Sequence, residues 1–148
     1  MADKQAHKKY NKILKKVEAA LGTGSTYGNT LNDYLFNIIG SKFAGVYPSD
    51  KIPTLSKNKP YVIVNLDDSR GDGTHWVACC YDKKGVLLYD SFGRRSNKIL
   101  PALKKNNKKI KNSDLDAEQL ISEDNCGQRS ISWVLLFDKY GREVAEKI

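Results

Sequence analysis

The chain has 148 residues, of which 40% are hydrophobic and 28% are charged, and these proportions are typical of a globular protein rather than a disordered one. Its apolar runs are far shorter than the roughly 18 residues that span a bilayer, and the N-terminus is charged from Asp3 onward, so we expect neither a membrane span nor a signal peptide. The formal net charge of +8 favours contacts with polyanions.

The length fits one domain, residues 1–148, and we expect a monomer. Three cysteines are an odd number, and two of them, Cys79 and Cys80, are adjacent. This usage argues against a disulfide framework and favours a reducing compartment. We therefore expect the cytosol or nucleus of a cell or of an infected host cell.

The N-terminal segment, residues 1–22, is predicted to form a basic amphipathic helix that ends before Gly22. Its apolar residues recur at helical spacing, with lysines between them: Tyr10, Ile13, Leu14, Val17 and Leu21. The segment Gly22–Gly28 is predicted to be a loop. A second helix is predicted from Thr30, a plausible N-cap, to Gly40. Its predicted core face consists of Leu31, Tyr34, Leu35 and Ile38.

Prolines make residues Ser41–Pro60 look irregular, and three strands are predicted after them. The strands are Tyr61–Leu66, Trp76–Tyr81 and Val86–Asp90, and a tight turn at Asp82–Gly85 joins the last two.

The rest of the chain is predicted to contain a surface helix, a short strand near Ile110 and an apolar helix that ends at Gly141. The two helices are Ser96–Asn107 and Gly127–Tyr140. The order of elements indicates an α+β fold, with a small mixed or antiparallel central sheet flanked by helices.

Most of the excess charge lies in two groups of lysines. Each group is either a solvated surface or a footprint for a nucleic acid backbone, and no zinc-finger or RNA-recognition signature accompanies them. Non-specific DNA is therefore the most that the charge predicts. The groups are Lys4, Lys8, Lys9, Lys12, Lys15 and Lys16, and then Lys104, Lys105, Lys108, Lys109 and Lys111.

The chain has two histidines, of which His7 lies in the lysine-rich helix and is predicted to be solvated. His75 lies where the glycine-rich segment Gly-Asp-Gly-Thr enters an apolar strand, and Asp90 closes the next strand. Two strands that a tight turn joins pair antiparallel, which brings His75 and Asp90 to the same edge. A carboxylate there fixes the tautomer of an imidazole and stabilises its protonated form.

Cys126 directly precedes the predicted apolar helix, where the positive end of the helix dipole favours a thiolate. Cys79 and Cys80 lie in mid-strand and are predicted to be small hydrophobic residues on opposite faces of the sheet. Gln119 is either an exposed loop residue or an amide donor for a developing oxyanion.

A metal site is not predicted, because the chain has no Cys-x-x-Cys pair and adjacent strand residues cannot both face one ion. Phosphate-loop and dinucleotide motifs are absent from the sequence as well, so no cofactor is predicted.

Taken in order, these segments resemble the adenain-like peptidases, which join the adenovirus maturation protease with the peptidases that remove SUMO and related modifiers. The resemblance covers roughly residues 30–137. It rests on His75-Trp76 at a strand start, Asp90 on the next strand, Gln119 seven residues before the cysteine, Asn125-Cys126-Gly127, and Leu31-Asn32-Asp33.

The resemblance implies a papain-like core in permuted order over residues 30–148, with the nucleophile at a helix N-terminus. It implies a cysteine endopeptidase in which Cys126 is the nucleophile, His75 the base, Asp90 its orienting group and Gln119 the oxyanion donor. Residues near the substrate would be Trp76, Asn125 and Gly127.

By the same resemblance, DNA or a peptide could activate the enzyme. Its substrates would be viral capsid or core precursors, in the host cell or the virion, with SUMO or ubiquitin-like conjugates as the alternative. An inactive DNA- or protein-binding module on the same fold is the third reading.

Overall fold

A computed structural model of the chain describes residues 3–66, 75–93, 99–113, 117–120 and 122–148. These residues form an α+β fold in which helices flank a five-stranded mixed sheet. The helices are α1 (Lys4–Leu21), α2 (Gly28–Ile39), α3 (Leu100–Asn106), α4 (Cys126–Tyr140) and α5 (Arg142–Ala145). The strands are β1 (Phe43–Pro48), β2 (Tyr61–Asn65), β3 (Trp76–Asp82), β4 (Gly85–Tyr89) and β5 (Ile110–Asn112).

Helix α1 lies within the predicted segment 1–22, as Lys4–Leu21, and both of its ends have a physical cause. Asp3 is the N-cap, and its Oδ1 accepts a hydrogen bond of 2.8 Å from the backbone N–H of Ala6. Gly22, at φ +81°, ends the helix because most other residues would be strained there. The buried side of the helix packs against α4 and comprises Ala6, Tyr10, Leu14 and Val17.

Helix α2 begins earlier than the sequence predicts and buries a narrower face. Tyr27 is the N-cap, so the predicted cap residue, Thr30, lies inside the first turn. Leu31 and Leu35 are fully buried, whereas Ile38 is 50% exposed, so its predicted place in the core is wrong. The reason is that α2 packs mainly against β1 at the edge of the sheet, which covers only part of the helix.

Strand β1 lies inside the segment predicted to be irregular, so that prediction is wrong for residues 43–48. The strand pairs parallel to β2, with a register shift between Phe43 and Val46. Gly45 lies in this irregular stretch at φ +120°, and Pro48 closes the strand. Glycine and proline are tolerated in an edge strand with a bulge, and they hide the usual strand pattern from sequence analysis.

The sheet has the strand order β1-β2-β3-β4-β5. The three central strands pair antiparallel, while β1 and β5 join the edges in parallel. The three predicted strands are confirmed to within one residue at each end, and Asp82 and Gly85 of the predicted turn belong to β3 and β4. The predicted strand at Ile110 is confirmed as β5.

Both faces of the sheet are covered. Helices α1, α2 and α4 form one core with β2, β3 and β4. The other core includes Ile52, Leu55 and Leu103 from α3. Cys79 and Cys80 belong to opposite cores, as alternation along a strand predicts. Residues 96–98 of the predicted helix Ser96–Asn107 lie outside the described residues, and the described helix begins at Leu100.

Helix α4 begins at Cys126, one residue earlier than predicted, and Gly141 ends it at φ +85°. Its apolar length is almost wholly buried, because it packs on the sheet through β3 and against α1 and α2. Within the described ranges, no helix combines the length and hydropathy that crossing a lipid bilayer requires.

Replacing Gly85 by alanine should destabilise the fold by about 3 kcal/mol. Gly85 lies at φ +114°, and an added Cβ would overlap the backbone carbonyl of Lys109, which accepts the β4–β5 hydrogen bond from Val86. Urea unfolding measures the effect. Gly24→Ala is the control, since a Cβ at Gly24 meets nothing within 4 Å. Equal stabilities of the two variants would contradict the prediction.

Candidate active site

The β3–β4 hairpin brings His75 and Asp90 together. Ala78 pairs with Tyr89 across the hairpin, so the residue before β3 and the residue after β4 lie at the same edge of the sheet. There, His75 Nε2 lies 2.7 Å from Asp90 Oδ1. Their side chains are 7% and 2% exposed, which shields the interaction from water. The predicted contact between these two residues is therefore present.

The hydrogen bond to Asp90 determines which nitrogen of His75 carries the proton. A carboxylate oxygen only accepts, so Nε2 is the donor and Nδ1 is left for other partners. The same carboxylate oxygen accepts a bond of 2.9 Å from the backbone N–H of Phe92. The ring of Phe92 also stacks on that of His75, with the centroids 4.7 Å apart. Tautomer and ring plane are thus fixed by two neighbouring residues.

Cys126, the first residue of α4, lies close enough to His75 to affect its pKa. Burial by itself lowers the pKa of His75, but the hydrogen bond with Asp90, the nearby Cys126 thiol and the charges of both groups raise it to about 9. His75 therefore interacts with both partners and is stabilised in its protonated form near neutral pH. The glycine-rich segment before His75 lies outside the described residues, at 71–74.

The two other cysteines differ from Cys126 in their surroundings. Cys79 and Cys80 are fully buried in the sheet, and burial raises the pKa of both thiols well above the ordinary value. A thiol that does not ionise near neutral pH is a poor nucleophile. Among the three cysteines, the interaction with an imidazole singles out Cys126.

Gln119 is buried, not an exposed loop residue, at 4% exposure. Its Oε1 accepts a hydrogen bond of 2.5 Å from the hydroxyl of Ser91, next to Asp90. Its Nε2 donates a bond of 2.6 Å to the carbonyl of Glu123, three residues before Cys126. The amide is therefore held between the turn that carries Asp90 and the segment that enters α4.

Trp76 and Gly127 pack against Thr26 and the first turn of α2. The indole N–H of Trp76 donates to the carbonyl of Thr26 at 3.3 Å, and the ring lies against Gly28. A Cβ on Gly127 would lie 3.0 Å from the side chain of Leu31 and would also overlap Thr26. Both residues thus pack against the same short segment of the chain, and their contact with substrate stays a prediction.

The side chain of Asn125 is engaged within the protein. Its Oδ1 accepts from the guanidinium of Arg129 at 3.2 Å, and its Nδ2 donates to Glu18 of α1 at 3.2 Å. Asn125 is the N-cap of α4 but makes no side-chain capping bond, because its amide joins α1 to α4 instead. A role of this side chain in substrate binding also stays a prediction.

His7 is not the solvated residue that the sequence predicts. Its side chain is 21% exposed, and its Nε2 lies 3.5 Å from a carboxylate oxygen of Glu118, which is itself 6% exposed. Burial raises the pKa of Glu118 to about 7, although hydrogen bonds from Tyr89 and His7 oppose this effect. Helix α1 thus contacts the segment that carries Gln119. The helical spacing of the lysines around His7 does not predict this contact.

Sequence reasoning also missed Ser91 and Phe92, which hold Gln119 and His75 in place. Their position directly after Asp90, in the turn that Gly93 closes with a hydrogen bond to the Asp90 carbonyl, was the available signal. Residues that follow an orienting carboxylate lie beside the site whatever their side-chain type, so they are candidates for a role in it.

The second group of lysines lies on α3 and around β5, and all five are exposed. Lys111 is 3.7 Å from a carboxylate oxygen of Glu146. An exposed pair of this kind contributes little to stability. Binding of DNA by this surface stays a prediction.

None of the protein-family models matches the chain, and no curated protein matches it at a significant level. The resemblance to adenain-like peptidases therefore rests on the residues of the site and their order along the chain.

Proposed function

We propose that the chain is a cysteine endopeptidase with Cys126 as nucleophile, His75 as general base and Asp90 as orienting group. The observation that carries this proposal is the position of His75, which hydrogen-bonds Asp90 through Nε2 and interacts with Cys126. A thiol beside an oriented imidazole is the arrangement that nucleophilic acyl transfer requires.

The reaction begins with the proton of the Cys126 thiol already on Nδ1 of His75, in the protonated form of the imidazole that Asp90 stabilises. The thiolate attacks the carbonyl carbon of the scissile bond, and the amide of Gln119 and the backbone N–H of Cys126 stabilise the oxyanion. His75 then protonates the leaving amine, which departs and leaves a thioester. Water, deprotonated by His75, hydrolyses the thioester to release a carboxylic acid and regenerate the thiol.

The fold is compatible with this reading. In a papain-like core of permuted order, the histidine and the acid come from neighbouring strands and the cysteine follows on a helix. Here His75 and Asp90 flank the β3–β4 hairpin, and Cys126 begins α4. Kinship with the adenain-like peptidases is part of the proposal, and it rests on the order of His75, Asp90, Gln119 and Cys126.

The proposed substrates are viral capsid or core precursors, cleaved at small or glycine residues in the host cell or virion. The net charge of +8 suits a protein that works among nucleic acids. Removal of SUMO or a related modifier is the alternative, because the same chemistry cleaves isopeptide bonds. An inactive binding module is the third, and it would have no need of an oriented imidazole beside a thiol.

Iodoacetamide should label Cys126 faster than Cys79 or Cys80, and His75→Ala should slow the labelling of Cys126. The reason is that only Cys126 has an imidazole partner, while burial raises the pKa of the other two thiols. Peptide mapping by mass spectrometry at several times measures the three rates.

Equal labelling of the three cysteines in the folded wild type would contradict an activated thiolate and would favour the inactive module.

Cys126→Ala should lower peptide cleavage by about 10³-fold or more, because the nucleophile is lost. Cys79→Ala is the matched control and should leave cleavage within a few-fold of the wild type. A strong loss of activity in both variants would point to damaged folding instead.

Cleavage should fall as the pH rises through about 9, because His75 then loses the proton that it gives to the leaving amine. Alkylation of Cys126 needs only the thiolate and should not fall over the same range. Asp90→Asn removes a charge that raises the pKa of His75, so it should move the fall in cleavage to lower pH. A profile of kcat/KM that stays flat above pH 9 would contradict this assignment.

The two substrate classes can be separated by one panel of substrates. We expect the enzyme to cleave peptides that contain Gly-Gly or Gly-Ala sites from capsid-type precursors, and to leave SUMO and ubiquitin conjugates intact. Gel and mass-spectrometric readouts with Cys126→Ala as the blank measure both. Preferential cleavage of a modifier conjugate would establish the alternative in place of maturation.

A further inference from the structure

Ser91 is a buried residue to which no role in the proposed reaction has yet been given. It directly follows Asp90 and is fully buried. Its hydroxyl faces Oε1 of Gln119 at 2.5 Å, and its carbonyl accepts hydrogen bonds of 2.9 Å from the N–H groups of Glu118 and Gln119. Ser91 therefore contacts Gln119 twice, through its hydroxyl and through its backbone carbonyl.

The contacts of the Gln119 amide determine its orientation. A side-chain amide has one accepting oxygen and a donating nitrogen with two protons. The backbone carbonyl of Glu123 only accepts, so the group 2.6 Å from it is the nitrogen, Nε2. The oxygen then faces Ser91, whose hydroxyl is the donor. Of the two protons on Nε2, one is used by Glu123, and the second has no acceptor among the residues that the structure describes.

We infer that Ser91 is a positioning residue, which holds the Gln119 amide with its second N–H directed at the oxyanion. This inference rests on the proposed function, because an oxyanion forms only if Cys126 attacks a carbonyl. Without the hydroxyl, Oε1 loses its donor, and the bond from Nε2 to the Glu123 carbonyl alone does not fix the direction of the second N–H. A donor whose direction varies stabilises the oxyanion less than one that is held in place.

One turn thus positions two functional groups of the site. Asp90 orients His75, and Ser91, the next residue, orients Gln119. Because the two residues are adjacent, the base and the oxyanion donor keep a fixed relation to each other whenever the turn is formed. The serine therefore acts on the rate after nucleophile formation, whereas the aspartate acts on the nucleophile itself.

Ser91→Ala separates these effects, because alanine keeps the backbone bonds to Glu118 and Gln119 and removes only the hydroxyl. We expect kcat to fall about tenfold with little change in KM, and the alkylation rate of Cys126 to stay as in the wild type. In a Gln119→Ala background, the same substitution should cost almost nothing further. An equal loss in both backgrounds would overturn the inference.

Ser132→Ala is the matched control. Ser132 is also fully buried, and its hydroxyl donates a single hydrogen bond of 2.7 Å to the carbonyl of Gln128 within α4. Both variants lose one buried hydroxyl and should lose similar stability by thermal melting. Only Ser91→Ala should lower kcat. Similar losses of kcat in both would mean that Ser91 matters for stability alone, and would overturn the inference.

A second measurement needs no substrate. The chain has three glutamines, Gln5, Gln119 and Gln128, so selective ¹⁵N labelling of glutamine gives three side-chain amides, and Gln119→Ala assigns the pair of interest. In Ser91→Ala, hydrogen exchange at the Gln119 amide should rise about tenfold or more, and in Ser132→Ala it should not change. An unchanged amide in Ser91→Ala would overturn the inference. Absence of cleavage by the wild type would count against the proposed function alone.

Discussion

The hydrogen bond between His75 and Asp90 is the interaction on which the candidate site depends. It forms because the β3–β4 hairpin brings a strand start and a strand end to one edge of the sheet. Burial of both side chains keeps water away, and the stack of Phe92 on His75 fixes the ring. If the hairpin register shifted by one residue, the side chains would point to opposite faces and the pair would be lost.

Helix α4 supplies the second half of the site, and its packing explains why Cys126 is where it is. The helix is buried from its first residue, with Gly127 in contact with Leu31 of α2. On the α1 side, Tyr10 hydrogen-bonds Tyr89 of β4 at 2.8 Å, and the ring of Tyr89 stacks on Trp133 of α4. The N-terminal helix is therefore part of the same core as the strand that leads to Asp90.

Much of this arrangement was predictable from local sequence. Alternating and continuous apolar runs identified the three central strands, and the tight turn at Asp82–Gly85 fixed which strand ends meet. Strand β1 was not predictable, because Gly45 and Pro48 break its pattern and only pairing with β2 makes it a strand. The burial of His7 against Glu118 also depends on contacts between distant segments, which helical spacing does not encode.

The sequence by itself determined the α+β class, the hairpin that joins His75 to Asp90 and the location of Cys126 at a helix start, because each follows from local periodicity and short connections. Only the tertiary structure decided that β1 and β5 are the edge strands of the sheet, that α1 packs on α4, and that Gln119 is held by Ser91 and the Glu123 carbonyl. These features need residues far apart in the chain to meet, and the direction of a side-chain amide is set by the donors and acceptors that packing places around it.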